Sequence, residues 1–447
     1  MNKAIAIGIC LVFIGIILIY PSQDYIAKPS YFSPPELSIL SKFDNETLQS
    51  TGRNEYIIEL RTPTGIKALE EQNKIVSVLE SYGGIVKSRF TVVNAIEAEI
   101  DAENITKIAE VEYVKRIYLD RNIAKITTIK TLSTDGFEIG RLFGSNYTGN
   151  GVVIAVVDTG INSELDEFKD KVIDTFSITG ENYTHWHGTA VASVIVSVAP
   201  DVKLLNVMVF QPDGSAYLSD ILKGFDYIQR WHRSHIDVPL IVSNSWGISQ
   251  EGWNCGGWKS PCVICEAVNS LTKQGIAVVN AGGNDGAVHN AINCPGQAYY
   301  ALCVASVDEN YNWSWFSSVG PTTDGNRKPD VAEVGENVVV LDVSGRTKVA
   351  SGTSFATPIV SALLALLMEK YGDKLSVEEY YDLIRENTVD VEEKGYDYKT
   401  GYGVPNASID VYVAEVSYDV KSYAGYASMF LGFICIGIGV THERKRR

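Results

Sequence analysis

Two long uncharged apolar runs bracket the chain, Ala4 to Tyr20 behind Lys3 and Tyr423 to Val440 before a basic tail, and the pattern between them changes twice. Residues 23–53 are polar, Ser- and Pro-containing and without periodicity, which reads as a spacer. From Glu55 short apolar segments alternate with an amphipathic one. Strands are expected at Tyr56–Leu60, Ile85–Val93, Ala95–Ile100 and Tyr113–Leu119, with helices at Ile66–Tyr82 and Glu103–Ala109. That βαββαβ order over residues 54–122 predicts a small ferredoxin-like α+β domain, and Gly83 and Gly84 punctuate its first helix. From residue 150 the strands become continuously apolar: Val152–Val157, Lys203–Val209, Leu240–Ser243, Ile276–Asn280 and Cys303–Val307. Helices are expected between them at Thr189–Ser197, Leu218–His232, Val263–Lys273 and Thr353–Tyr371. Strands apolar on both faces imply a mainly parallel α/β sheet covered by helices on both sides, over residues 123–414.

The first apolar run, residues 1–22, has the layout of a secretory signal or signal anchor, and no small-residue cleavage site decides between them. The second, residues 423–440, follows a short linker at 415–422 and carries four glycines, which suit a membrane span better than a water-soluble helix. The tail at 441–447 ends in Arg444, Lys445, Arg446 and Arg447, and the positive-inside rule keeps it in the cytoplasm. Everything between the two runs then lies outside the cell, on a single span once the signal is removed. About a dozen residues separate the end of the folded pattern near Asp410 from Tyr423, so substrates are expected close to the membrane surface.

The chain has 447 residues, ample for two or three cores, and its net charge of −16 makes nucleic acid a poor partner. Of seven cysteines, five fall between Cys255 and Cys303. An exported domain permits disulfides, so two bridges drawn from Cys294, Cys303, Cys255 and Cys262, with one thiol left over, is the simplest expectation. The Cys262 and Cys265 pair also has the spacing of half a zinc site, but no second closely spaced pair accompanies it, and no metal is expected. N-glycosylation sequons at Asn45, Asn104, Asn146, Asn182, Asn312 and Asn406 add weak support for export.

Three polar residues fall where a parallel sheet gathers chemistry, at strand carboxyl ends and helix amino ends. Asp158 follows the strand Val152–Val157, His187 precedes Gly188 and Thr189 at a helix head, and Ser354 opens the helix to Tyr371. Alone, each reads equally well as a turn cap, a structural histidine or an N-cap. Together they supply a hydroxyl nucleophile, an imidazole to take its proton and a carboxylate to orient the imidazole, as acyl transfer from an amide requires. Asn284, in a Gly-rich loop after another strand, offers an amide donor for an oxyanion.

The segments Asp158 to Asn162, His187 to Thr189, Ser243 to Gly247, Ala281 to Asn284 and Gly352 to Pro358, in that order, resemble the subtilisin-like serine proteases. The resemblance implies that Asp158 orients, His187 is the general base and acid, Ser354 is the nucleophile, and Asn284 with the Ser354 backbone N–H forms the oxyanion hole. It further implies that Ser245, Trp246 and Gly247 on one side, and Ala281, Gly282 and Gly283 on the other, bind an extended polypeptide substrate through their backbones. Residues 54–122 would be an inhibitory propeptide acting on its own enzyme. No cofactor is needed for such chemistry. The short stretch from His187 to Pro200 lacks the loop that holds calcium in many relatives, and no acidic cluster marks another structural calcium site. Ala190 stands where the family often has a second histidine. The competing readings are a catalytically silent surface protein on the same fold and a soluble enzyme released from its anchor.

Overall fold

A computed structural model describes residues 39–126, 129, 146–180, 185–249, 253, 255–287 and 292–406. The proposed signal, the span at 423–440 and the basic tail lie outside these residues. The smaller unit begins with α1 (Asn45–Gln49), followed by β1 (Arg53–Leu60), α2 (Ile66–Ser81), β2 (Ile85–Phe90), β3 (Ala95–Asp101), α3 (Ala102–Ala109) and β4 (Val114–Leu119). Its sheet has the order β2-β3-β1-β4 with every pairing antiparallel, the ferredoxin-like arrangement expected from the pattern. The end of the expected spacer is folded. Phe43 bridges to Ile117, and Lys42 Nζ donates to the Ala109 and Val111 carbonyls at 2.7 and 3.1 Å.

Strand alternation gives this sheet two apolar faces. On β1, Tyr56, Ile58 and Leu60 join Ile75 and Leu79 of α2 and Ile105 and Ile108 of α3 in a core of their own. Ile57 points the other way and, with Phe90, Val92 and Tyr118, is continuous with the core of the larger unit. A sheet face left bare by its own helices must be covered by something, and here the larger unit covers it.

The connection runs through β5 (Asn122–Lys125) into the larger unit, whose strands include β6 (Val153–Asp158), β7 (Val172–Ser177), β8 (Lys203–Met208), β9 (Ser215–Tyr217), β10 (Leu240–Asn244), β11 (Ala277–Ala281), β12 (Leu302–Val307) and β13 (Val331–Val334). Interleaved are α4 (Trp186–Val198), α5 (Leu218–Ser234), α6 (Val263–Lys273), α7 (Thr353–Tyr371) and α8 (Val377–Glu386). Seven strands form a wholly parallel sheet in the order β13-β12-β11-β10-β6-β8-β7. The strands β6, β10, β11 and β12 are buried along their whole length, as their uniform apolarity requires. Helix α7 is long and apolar enough to cross a membrane, yet it is almost wholly buried and serves as the central core helix.

Candidate active site

The carboxyl edge of the parallel sheet collects the groups singled out in the sequence. Asp158 is the last residue of β6 and is 1 % exposed, so its carboxylate must find donors inside the protein. It accepts from the Thr159 N–H at 2.6 Å and holds His187 Nδ1 at 2.9 and 3.0 Å. With Nδ1 committed to the carboxylate, Nε2 is the ring nitrogen available for proton exchange.

His187 sits in the first turn of α4, which begins at Trp186, three residues earlier than the periodicity indicates. The helix is brought against the Asp158 turn by Gly188. A Cβ there would lie 2.5 Å from the Gly160 carbonyl oxygen, so no side chain is tolerated at that position. The Gly188 N–H then donates to Thr159 Oγ1 at 3.0 Å, and Asn162 N–H donates to Thr189 Oγ1 at 3.0 Å. His185 caps the helix by accepting from the His187 N–H at 3.3 Å. Burial, with the neighbouring His187 adding to it, lowers the His185 pKa and favours the neutral ring that capping needs.

Ser354 lies in the first turn of α7, and its neighbour Phe355 packs on the His187 ring with centroids 5.8 Å apart. Ser354 and Asn284 share one cleft, bordered by Ser245, Trp246 and Gly247 on one side and by Ala281 and Gly283 on the other. Thr353 fixes Asn284. Its backbone N–H and its hydroxyl both donate to Asn284 Oδ1 at 3.0 Å. A backbone N–H demands an oxygen at that end of the amide, so the NH2 group is the end left to donate. Gly282 stands behind this wall: its N–H donates to Val304, and its carbonyl accepts from Asn293. Its peptide is spent on holding the loop.

The same cleft is lined by Arg121, Ile123, Lys125 and Ile126 of this chain. They are held there by the antiparallel pairing of β5 with β9 and by the Ile126 N–H donating to Gly214 at 2.8 Å. Beyond them, Ile129 bridges to Ser351, just before Ser354. The receiving strand β9 is three residues long and carries no periodic signal, so the sequence pattern does not place it.

The disulfide expectation is not met. None of Cys255, Cys262, Cys265, Cys294 and Cys303 forms a bridge, and Cys294 turns away from Cys303 toward the other three. The reason is tertiary. Cys294 pairs with Ile248 through backbone hydrogen bonds of 2.7 and 3.1 Å, which carry it to the loop ahead of α6.

A Subtilase family profile matches residues 149–403, more than half of the chain. The chain is 28 % identical to the serine protease AprX of Bacillus subtilis (strain 168), covering 81 % of this chain and 88 % of that one. It is 27 % identical to a thermostable alkaline protease of Halalkalibacterium halodurans, covering 73 % and 84 % respectively. A shorter match, 32 % identical, covers 51 % of this chain and 22 % of the human membrane-bound transcription factor site-1 protease.

Proposed function

The chain belongs to the subtilase family and is a subtilisin-like serine endopeptidase, and from that premise we propose that it is an exported, membrane-anchored zymogen whose triad is Asp158, His187 and Ser354. In this reading Ser354 Oγ attacks the substrate carbonyl carbon while its proton passes to His187 Nε2, and Asp158 holds the resulting imidazolium. The tetrahedral oxyanion accepts hydrogen bonds from Asn284 Nδ2 and the Ser354 N–H. Collapse expels the amine, which takes the proton from His187 and leaves an acyl ester on Ser354. Water then repeats the sequence in reverse roles.

The observation that carries the zymogen reading is the occupancy of the cleft. Arg121, Ile123, Lys125 and Ile126 lie beside Ser354 and Asn284, paired to β9 as an extended peptide substrate would be. We put the self-cleavage between Ile126 and Ile129, because Ile126 still lines the cleft and Ile129 already bridges to Ser351. The segment that ends at the cut, residues 54–126, then remains docked as an inhibitor. The uncharged run at 423–440 with its basic tail supports an anchor that holds the enzyme outside the cell.

The test is maturation of a full-length Ser354→Ala chain. It should stay uncut and inactive, whereas the unaltered chain should show a new N-terminus between residues 127 and 129. A Ser354→Ala chain that matures with no protease added would overturn the assignment of the nucleophile.

A further inference from the structure

The cluster of Cys255, Cys262, Cys265 and Cys294 has no part in the peptidase chemistry. All four residues are at most 1 % exposed, and their four sulfurs all lie within 4.8 Å of one another. The separations are 3.8 Å for Cys255 to Cys265, 3.5 Å for Cys262 to Cys294 and 3.5 Å for Cys265 to Cys294. A disulfide brings two sulfurs to about 2.05 Å. A tetrahedron of about 2.3 Å Zn–S bonds has edges of about 3.8 Å. Cys294 stands equally close to Cys262 and Cys265, an arrangement that pairwise bridging does not call for and a common central ion does.

We propose that these four cysteines form a tetrahedral thiolate site for a structural zinc ion, behind the substrate-binding wall of the cleft. The donor set is closed: four sulfurs fill the four positions, leaving none for water, as in structural rather than catalytic zinc sites. The local fold supports it. Cys262 occupies the N-cap position of α6 and Cys265 lies in its first turn, so the close pair sits at a helix N-terminus, where negative charge is stabilised. The Cys262 N–H points at Cys255 Sγ, 3.4 Å away, the outer-shell contact a thiolate ligand takes from its backbone. The loop between the first two ligands is closed by the bridge of Gly256 to Ser260. Arg116 of β4, which donates to the Pro261 carbonyl at 2.9 Å, sets a guanidinium beside this loop, where it offsets the excess charge of four thiolates on a divalent ion.

The consequence is a staple. It ties the loop before α6 to Cys294, and Cys294 is paired to Ile248, which lines the cleft. Asn293, next in the chain, lines the same cleft. Losing the ion should therefore loosen a substrate wall without touching Asp158, His187 or Ser354.

Metal analysis of the purified full chain should find one zinc per molecule, retained through dialysis against EDTA and released on denaturation. Denatured without reductant, Cys255, Cys262, Cys265 and Cys294 should all be alkylated by iodoacetamide in peptide maps. Cys294→Ser should lose the zinc, and Cys303→Ser should keep it. Should the Cys294 variant fail to fold, the stoichiometry and thiol count of the unaltered chain still decide. Thiols that alkylate only after reduction, in a chain without metal, would mean two disulfides and would overturn the proposal. So would iron in place of zinc.

Discussion

At the carboxyl edge of the parallel sheet, Asp158, Thr159, Gly188 and His187 are tied together within about one turn of a strand and one turn of a helix, all buried in a single continuous core. At the seam between the two units the polar partners instead face each other across a boundary. Asp226 of α5 accepts from the Thr91 and Val92 N–H groups at 2.9 and 2.7 Å. Lys115 of β4 spans from the buried Glu59 to Glu266 of α6, at 2.6 and 2.7 Å, and Lys223 of α5 reaches Glu97 at 3.1 Å. Asp120 accepts from the Ser219 N–H at 2.9 Å, in the first turn of α5. The smaller unit has a core of its own on one face of its sheet, and on the other face Ile57, Phe90, Val92 and Tyr118 share the core of the larger unit beside these polar contacts. The first region fixes geometry permanently. The second is the boundary on which the proposed inhibitory role of the smaller unit rests.

The largest effect that can break this contrast lies at the sheet edge. His187→Ala should lower kcat by about a millionfold with little change in how tightly the smaller unit docks. A variant within tenfold of the unaltered enzyme would remove His187 from the chemistry. Asn284→Ala should cost about a hundred- to thousandfold in kcat at nearly constant KM, read from steady-state peptide hydrolysis. Unchanged kcat would mean that Thr353 holds the amide for structural reasons only.

At the seam the expected effects are smaller and leave turnover alone. Asp226→Ala strips two backbone N–H groups of a charged acceptor. It should weaken inhibition by added residues 54–126 by about ten- to a hundredfold, measured as an inhibition constant. The most gradual effect is in pH. Burial, opposed by the Ser219 hydrogen bonds, raises the docked Asp120 pKa to about 6, with Glu97 raising it further and Lys223 lowering it. In the undocked segment it should titrate near the ordinary value of about 3.9. Docking therefore takes up a proton, is favoured below about pH 4, and loses that advantage as pH rises through about 6. A difference of about two pH units weakens inhibition by up to about a hundredfold between those limits, and Asp120→Asn should flatten the profile. An unchanged profile in that variant would assign the pH dependence to another group.

The parallel core was legible because strands such as β6 and β12 are apolar on both faces, a pattern that tertiary context does not override. Strand β7 was not, because it is the sheet edge and exposes Asp174 and Thr175, which leaves no continuous apolar run. Helix α8 carried a readable start signal, the capping box of Ser376 and Glu379, that periodicity alone passes over. The candidate site was legible through short segments in which each polar residue adjoins the strand or helix end that positions it. Its support was less so. Thr353 anchors Asn284, 69 residues away in the chain, and the four-cysteine cluster needs Cys294 carried to Cys265 from 29 residues away. Spacing within the sequence cannot report either approach.

In the proposed mechanism one hydroxyl, at the start of α7, is set apart from every other serine in the chain by its place at this edge. Labelling the mature enzyme with a fluorophosphonate and mapping the modified peptide by mass spectrometry tests it directly. A single phosphonylated residue, Ser354, is expected, with labelling blocked by added residues 54–126 and absent in His187→Ala. Stoichiometric label on another serine, or undiminished labelling in the presence of that segment, would contradict it.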